Sequence, residues 1–215
     1  HAITGPAPLF AITAHSAGTG KTLLADVVAT VATGHAASRV AQVDHDEERK
    51  LLLALALDGD QVVLFDNVLK PVGSPALDAL LTSSRIKGRL LGTNKNLDTP
   101  WSAVLVATGN NMTFAGDTAR RTLCVHLDAK RENPEERAGF VHDPLLRWVK
   151  AQRGRLVIAA LILLRAYVLA GRPTVEGLPR YGSFEAWSDL VRSALVWTGA
   201  DDPCADRDVQ RQRSD

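Results

Sequence analysis

Between Leu9 and Thr22 the chain reads LFAITAHSAGTGKT: an apolar run, a loop of small residues, then Gly20-Lys21-Thr22. Glycines let backbone N–H groups turn toward an anion, a lysine reaches outer phosphate oxygens, and the neighbouring hydroxyl can ligate Mg²⁺. The pattern G-x-x-x-x-G-K-[ST] supplies these groups at that spacing. Counting back five from Gly20 finds His15, so the first glycine of the pattern is missing. His15, Ser16, Ala17, Gly18, Thr19, Gly20, Lys21, Thr22 and Leu23 form the candidate phosphate cradle, with Thr22 the first candidate metal ligand. A Gly-rich turn that binds nothing is the plainer alternative.

Further residues carry matching chemistry. Gln61 to Asn67 (QVVLFDN) and Trp101 to Thr108 (WSAVLVAT) are apolar runs; the first ends in Asp66-Asn67 and the second leads into Gly109-Asn110-Asn111. At the carboxyl edge of a sheet an Asp can share Mg²⁺ with Thr22, and an Asn can hold an attacking water or an outer phosphate. An Asp that only opens the turn before Pro71 is the simpler reading of Asp66. Arg120-Arg121 precede the run Thr122 to Leu127; they suit either ion pairs with the chain's own acids or an arginine finger at a subunit boundary. Arg85 to Asn96, RIKGRLLGTNKN, holds Arg85, Lys87, Arg89 and Lys95 without an acid. It suits a solvated turn or a hairpin on a nucleic-acid backbone, which asks for cations and little else.

The elements that must position these groups follow from periodicity and punctuation. Leu9 to Thr13 is β-rich, and Lys21 to Thr33 carries Leu24, Val27, Val28 and Val31 at helical spacing, so a strand precedes the loop and a helix follows it. Arg39 to Asp44 reads as a strand. Glu47 to Leu57 reads as a helix with acids at its start, and Ser74 to Ser83 as a helix with Ser74 as cap and Pro75 in its first turn. Asn133 to Arg137 is polar and reads as a linker. Pro144 to Leu169 reads as one or two helices broken near Gly154, its apolar run Leu156 to Leu164 too short to span a bilayer and therefore buried. Ser183 to Trp197 reads as an amphipathic helix capped by Ser183, and the tail from Asp201 as polar and frayed.

Composition bounds the rest. The chain has 215 residues, 46% hydrophobic and 23% charged, with 25 Lys and Arg against 24 Asp and Glu. That is an ordinary soluble composition for one domain with an appendage. A net charge of +1 supplies no general attraction to nucleic acid, so any such contact is a local patch. Cys124 and Cys204 stand apart with no metal-ligand spacing, as thiols do in a reducing, cytoplasmic setting. Starting at His1, with the first strand a few residues on, the chain reads as a piece of a longer protein.

In order, the chain holds a phosphate loop, a strand-ending Asp, a basic hairpin, a strand-ending Asn, an Arg pair before a strand, and a helical tail. That order resembles the AAA+ ATPases, and within them the superfamily III branch and related phage, plasmid and integrative-element primase-helicases. The phrases FDNV, VATGNN and GDTARRTLCVHLD carry the likeness, which covers roughly residues 8 to 200. It implies an α/β P-loop NTPase fold of AAA+ type, with a parallel central sheet flanked by helices and a small helical C-terminal region. The core would span 1–132, the helical region 133–200 and the tail 201–215. It implies ATP and Mg²⁺ as cofactors, with Gly18, Gly20, Lys21 and Thr22 on the nucleotide and Asp66 as second metal-site acid. Asn110 would sense the terminal phosphate and Arg120 or Arg121 would act on the next subunit. Lys87, Arg89 or Lys95 would face a central pore, and Arg180 or Arg192 would be a sensor on the helical tail. DNA, as a single strand or fork, and copies of the chain in a ring, hexameric when full length, would be the partners. A fused primase or polymerase domain would precede the module, with no membrane contact.

Two positions depart from the family pattern. His15 replaces a glycine that many such loops do without. Asn67 stands where a water-activating Glu often follows the Asp, and an amide cannot accept that proton, so Glu47 or Glu48 would have to do so or hydrolysis is slow. Three readings follow: a DNA motor, a nucleotide-gated assembly or loading module, and, ranked last, a small-molecule kinase, which would need an Arg-rich lid where this chain has a hairpin.

Overall fold

The computed structural model describes residues 5–89 and 96–205. Five parallel strands, β1 (Leu9–Ala14), β2 (Ser38–Val40), β3 (Val62–Val68), β6 (Val104–Asn110) and β7 (Thr122–Leu127), form one sheet in the order β2-β3-β6-β1-β7. Two more, β4 (Arg85–Arg89) and β5 (Asn96–Pro100), pair antiparallel. Helices α1 (Lys21–Thr33), α2 (His45–Asp58) and α3 (Pro75–Leu81) connect the strands. A parallel sheet flanked by helices, with the Gly-rich loop joining β1 to α1, is the P-loop NTPase fold expected from the sequence.

Burial explains the strands. Leu9, Ala11, Val63, Leu64, Leu105 and Ala107 are sealed from solvent, as a sheet covered on both faces requires. The helix after the loop buries a different face from the one its large residues suggested: Ala25, Asp26, Ala29 and Thr30 face the sheet, while Val28 is 52% exposed. Small side chains let the helix axis approach the strands, and buried Asp26 finds a cation in Arg39.

Several boundaries move. The second strand ends at Val40 rather than Asp44, because the Gln42 side chain takes over the pairing: it donates to the carbonyls of Lys70 and Pro71 and accepts from the Lys70 N–H. The strand expected from Trp101 starts at Val104; Trp101 still belongs to the hairpin, its N–H donating to Ser84 at 2.8 Å. Ser74 caps α3 as expected, accepting from Leu77 N–H at 3.0 Å.

The C-terminal region differs more. Helix α4 (Leu145–Leu169) runs through Gly154 without a break. One helical glycine costs only about 1 kcal/mol relative to alanine, too little to end a helix that is otherwise well supported. The run Leu156 to Leu164 is not buried: Ile158, Leu161, Ile162 and Leu163 are all 43–58% exposed, because only one side of the helix reaches α1. Ser183 is no cap. It lies at φ 74, and its N–H donates to the Glu185 carboxylate at 3.0 Å. The final helical stretch comprises α5 (Glu185–Trp187), a π turn (Ser188–Arg192) and α6 (Ser193–Trp197). Its Trp187 sits edge-on to Phe10 of β1, and Tyr181, Phe184 and Trp187 are buried with residues of the sheet. The tail does not fray at Asp201: Asp202 pairs with buried Arg192 and Cys204 is buried, while 206–215 lie outside the described residues.

Candidate active site

The loop between β1 and α1 turns with Gly18 at φ 72 and Gly20 at φ 87, the left-handed backbone that only glycine enters without cost. This brings Lys21 back over the loop, where Nζ donates to the Ser16 carbonyl (3.1 Å), Thr19 Oγ1 (3.2 Å) and Asn110 Oδ1 (2.7 Å). Partial burial lowers the Lys21 pKa by desolvating its charge. From the first turn of α1, Thr22 Oγ1 donates to Asp66 Oδ1 at 2.8 Å, and Thr108 Oγ1 donates to the same oxygen at 2.7 Å. Four residues separated by up to 89 positions, Lys21, Thr22, Asp66 and Asn110, thus meet at the carboxyl edge of three adjacent strands. Parallel pairing is the reason, since β3, β6 and β1 all end on the same side.

The donor set fits what the sequence implied. A hydroxyl and a carboxylate on one point are oxygen ligands of the hard, few-ligand kind that Mg²⁺ takes beside phosphates. Glycine-turned N–H groups and one ammonium suit a polyphosphate. Thr22 and Asp66 would hold the ion, which would screen the phosphate charge.

Asn67 follows Asp66 at φ 54, where the register between β3 and β6 shifts, and its N–H donates to Thr108 Oγ1 at 3.1 Å. Asn111 repeats the conformation at φ 45, and His15 Nδ1 lies 3.0 Å from Asn111 Oδ1. Asn tolerates left-handed backbone better than Glu does, which accounts for an amide at this bulge.

Other expected residues stand elsewhere. Glu47 pairs with Lys50 at 2.7 Å, and buried Glu48 accepts from Ser74 Oγ; neither bonds to the Lys21–Thr22–Asp66–Asn110 group. Arg120 and Arg121 both pair with Asp117, and Arg121 also pairs with Asp78 and donates to its carbonyl. Hydrogen bonding to Asp117 raises the Arg120 pKa, and the Arg120 partner in turn lowers that of Asp117. Within the chain Arg120 braces the 3-10 turn Gly116–Arg121 through Asp117, and Arg121 ties that turn to Asp78 of α3. Arg192 is 2% exposed and locked to Asp202 at 2.6 Å, which removes it as a nucleotide sensor. Arg180 is largely exposed and lies 3.6 Å from Asp189.

The hairpin is less basic than Arg85 to Asn96 suggested, because it runs on to Pro100 and includes Asp98. That carboxylate accepts from Arg85 at 2.7 Å and lies 3.4 Å from Lys87; its pKa is lowered chiefly by the Arg85 bond. Lys95 and the turn around it lie outside the described residues. A cleft of about 530 Å³ between α2, α3 and β4 is lined in part by His45, Arg49, Arg85 and Lys87.

Sequence reading missed three groups. Thr108 is 1% exposed, and its signal was a hydroxyl inside an apolar strand, the kind of buried polar residue that asks for a partner. Arg39 pairs with Asp26 and reaches 3.9 Å from Asp66; a lone cation in a short strand gave no signal. Glu135, in what read as a linker, sits in a 3-10 turn (Pro134–Glu136) against the loop. Among the described residues, no group of three or more His, Cys, Asp or Glu could hold a metal by itself, and no helix is long and apolar enough to cross a membrane.

No family profile and no curated protein matches the chain. Among solved structures it is similar to the apo A form of the NrS-1 C-terminal region, at 14% identity and TM-score 0.48, over 68% of this chain and 34% of that one. It is also similar to the JCV helicase bound to a small acetamide, at 14% identity and TM-score 0.41, over 97% of this chain and 51% of that one. The chain thus spans a third to a half of the length of these solved chains.

Proposed function

We propose that this chain is the ATP-binding and hydrolysing motor module of a DNA-replication or mobile-element helicase or primase-helicase, working as an oligomeric ring with the β4–β5 hairpin on DNA. The observation that carries the reading is the convergence of Lys21, Thr22, Asp66 and Asn110 at one sheet edge. Lys21 would leave Asn110 for the outer phosphate, freeing the amide to orient the water or the terminal phosphate. Mg²⁺ held by Thr22 and Asp66 would neutralise phosphate charge as the outer group departs. Arg120 is 38% exposed and near the surface, the position from which a finger in trans would act on a neighbouring subunit. The cations around the α2–α3–β4 cleft suit a nucleic-acid backbone, with Asp98 restraining the affinity.

The test is ATP turnover by the full-length protein with and without forked DNA. Lys21→Ala and Asp66→Asn are expected to lower turnover by roughly 100-fold or more, the scale on which loss of one charge-stabilising group acts. Specific activity should rise with protein concentration if the finger comes from a neighbour. Turnover indifferent to Lys21→Ala would sink the reading.

A second reading, a nucleotide-gated assembly or loading module, is favoured by Asn67, since no carboxylate follows Asp66. Single-turnover measurement separates the two: a gate holds ATP for many minutes, a motor does not.

A further inference from the structure

We propose that Glu135 binds the ribose hydroxyls of the nucleotide whose phosphates the loop holds; the inference rests on the phosphate reading above. The direction of the ligand comes from strand order. Asp66 on β3 and Asn110 on β6, the groups suited to the outer phosphate, lie to one side of β1, and β7 lies to the other. A polyphosphate with its outer end toward β3 and β6 directs its nucleoside away from them, toward the chain that leaves β7 at Leu127.

That chain returns over the loop. A β-carbon built on Gly18 would lie 2.6 Å from Glu135 Oε2, 3.0 Å from its Cβ and 3.1 Å from its backbone nitrogen, so the turn sits in close contact with the loop at Gly18. Buried Pro134 anchors the turn, and the exposed Glu135 side chain has no cation or hydrogen-bond donor among the described residues. An unpaired carboxylate beside a phosphate loop is electrostatically out of place unless the part of the ligand that meets it donates hydrogen bonds. Phosphates bound to Mg²⁺ only accept. The first donors beyond them are the ribose hydroxyls, which carboxylates bind in other dinucleotide and nucleotide folds.

The experiment is calorimetric titration of the intact chain, with Mg²⁺, using ATP, 2′-deoxy-ATP and 3′-deoxy-ATP. The wild type is expected to bind at least one deoxy form about tenfold more weakly than ATP, the scale of one hydrogen bond to a charged group. Glu135→Gln and Glu135→Ala should bring ATP down to the level of that deoxy form and leave the deoxy form unchanged. Equal wild-type affinity for all three nucleotides overturns the assignment, and so does a ratio that survives Glu135→Ala. Uniform tightening of all three by Glu135→Ala also overturns it, because the carboxylate would then act only by repelling phosphate. Wild-type protein that binds no nucleotide, or Lys21→Ala protein that binds as well as wild type, brings down the phosphate reading itself.

Discussion

At the scale of single residues, Asn67 sets a condition on the site through its backbone rather than its side chain. Its φ of 54 lets the strand bulge while Asp66 stays aimed at Thr22. Asn67→Val should lower stability by about 1–2 kcal/mol, the cost of left-handed backbone for a side chain that resists it, and Asn67→Gly should be nearly neutral; thermal unfolding measures both. Asp66 and Asn110 were legible in the sequence because each is a polar residue closing an apolar strand. Thr108 was less so, since a threonine is ordinary in a strand and only the fold shows that it shares an oxygen with Thr22. Cys124 makes a separate prediction. Burial raises its thiol pKa to about 11, so the neutral thiol dominates at every lower pH. Alkylation by iodoacetamide in the native state should be slow at pH 8 and accelerate as pH rises toward that value.

Elements hold one another through a few buried polar joints. Ser74 both caps α3 and donates to Glu48 of α2, so Ser74→Ala should remove a cap and leave a carboxylate buried without its hydroxyl. A loss of about 2–3 kcal/mol follows, read as a lower denaturant midpoint with unchanged slope. Asp78 likewise accepts from Thr118 Oγ1 at 2.7 Å and pairs with Arg121, tying α3 to the turn before β7. The Ser74-Pro75 start was readable because it uses local chemistry alone. Ser183 misled for the complementary reason: a serine before an apolar periodic stretch looks like a cap, but here it lies in left-handed backbone between the packed rings of Tyr181 and Phe184. The Arg pair stands out in the sequence, and its pairing with Asp117 is local to the turn, whereas the Arg121 contact with Asp78 depends on a fold that brings α3 beside that turn.

For the whole molecule, the unexpected surface is α4. Its sequence holds five cations and no acid, and Ile158, Leu161, Ile162 and Leu169 stand exposed along it. Nine successive apolar residues carry no helical periodicity, so the sequence could not say which would face out. Ile158→Gln, Leu161→Gln and Ile162→Gln combined should change unfolding free energy by no more than about 0.5 kcal/mol per site in denaturant titration, as for surface positions generally. The sheet, by contrast, was legible strand by strand, since buried runs bounded by turns leave few alternatives. Tyr181 links the C-terminal segment to the turn before β7: fully buried, it donates through its hydroxyl to the Arg120 carbonyl at 3.1 Å while its ring meets Phe184 and Trp187. A protease that nicks the exposed turn around Arg172 and Arg180 would therefore not trim a dispensable appendage. Losing the segment beyond the cut opens the floor beneath the arginine pair and the back of β1, so digestion should pass from intact chain to small peptides without a persistent shortened form.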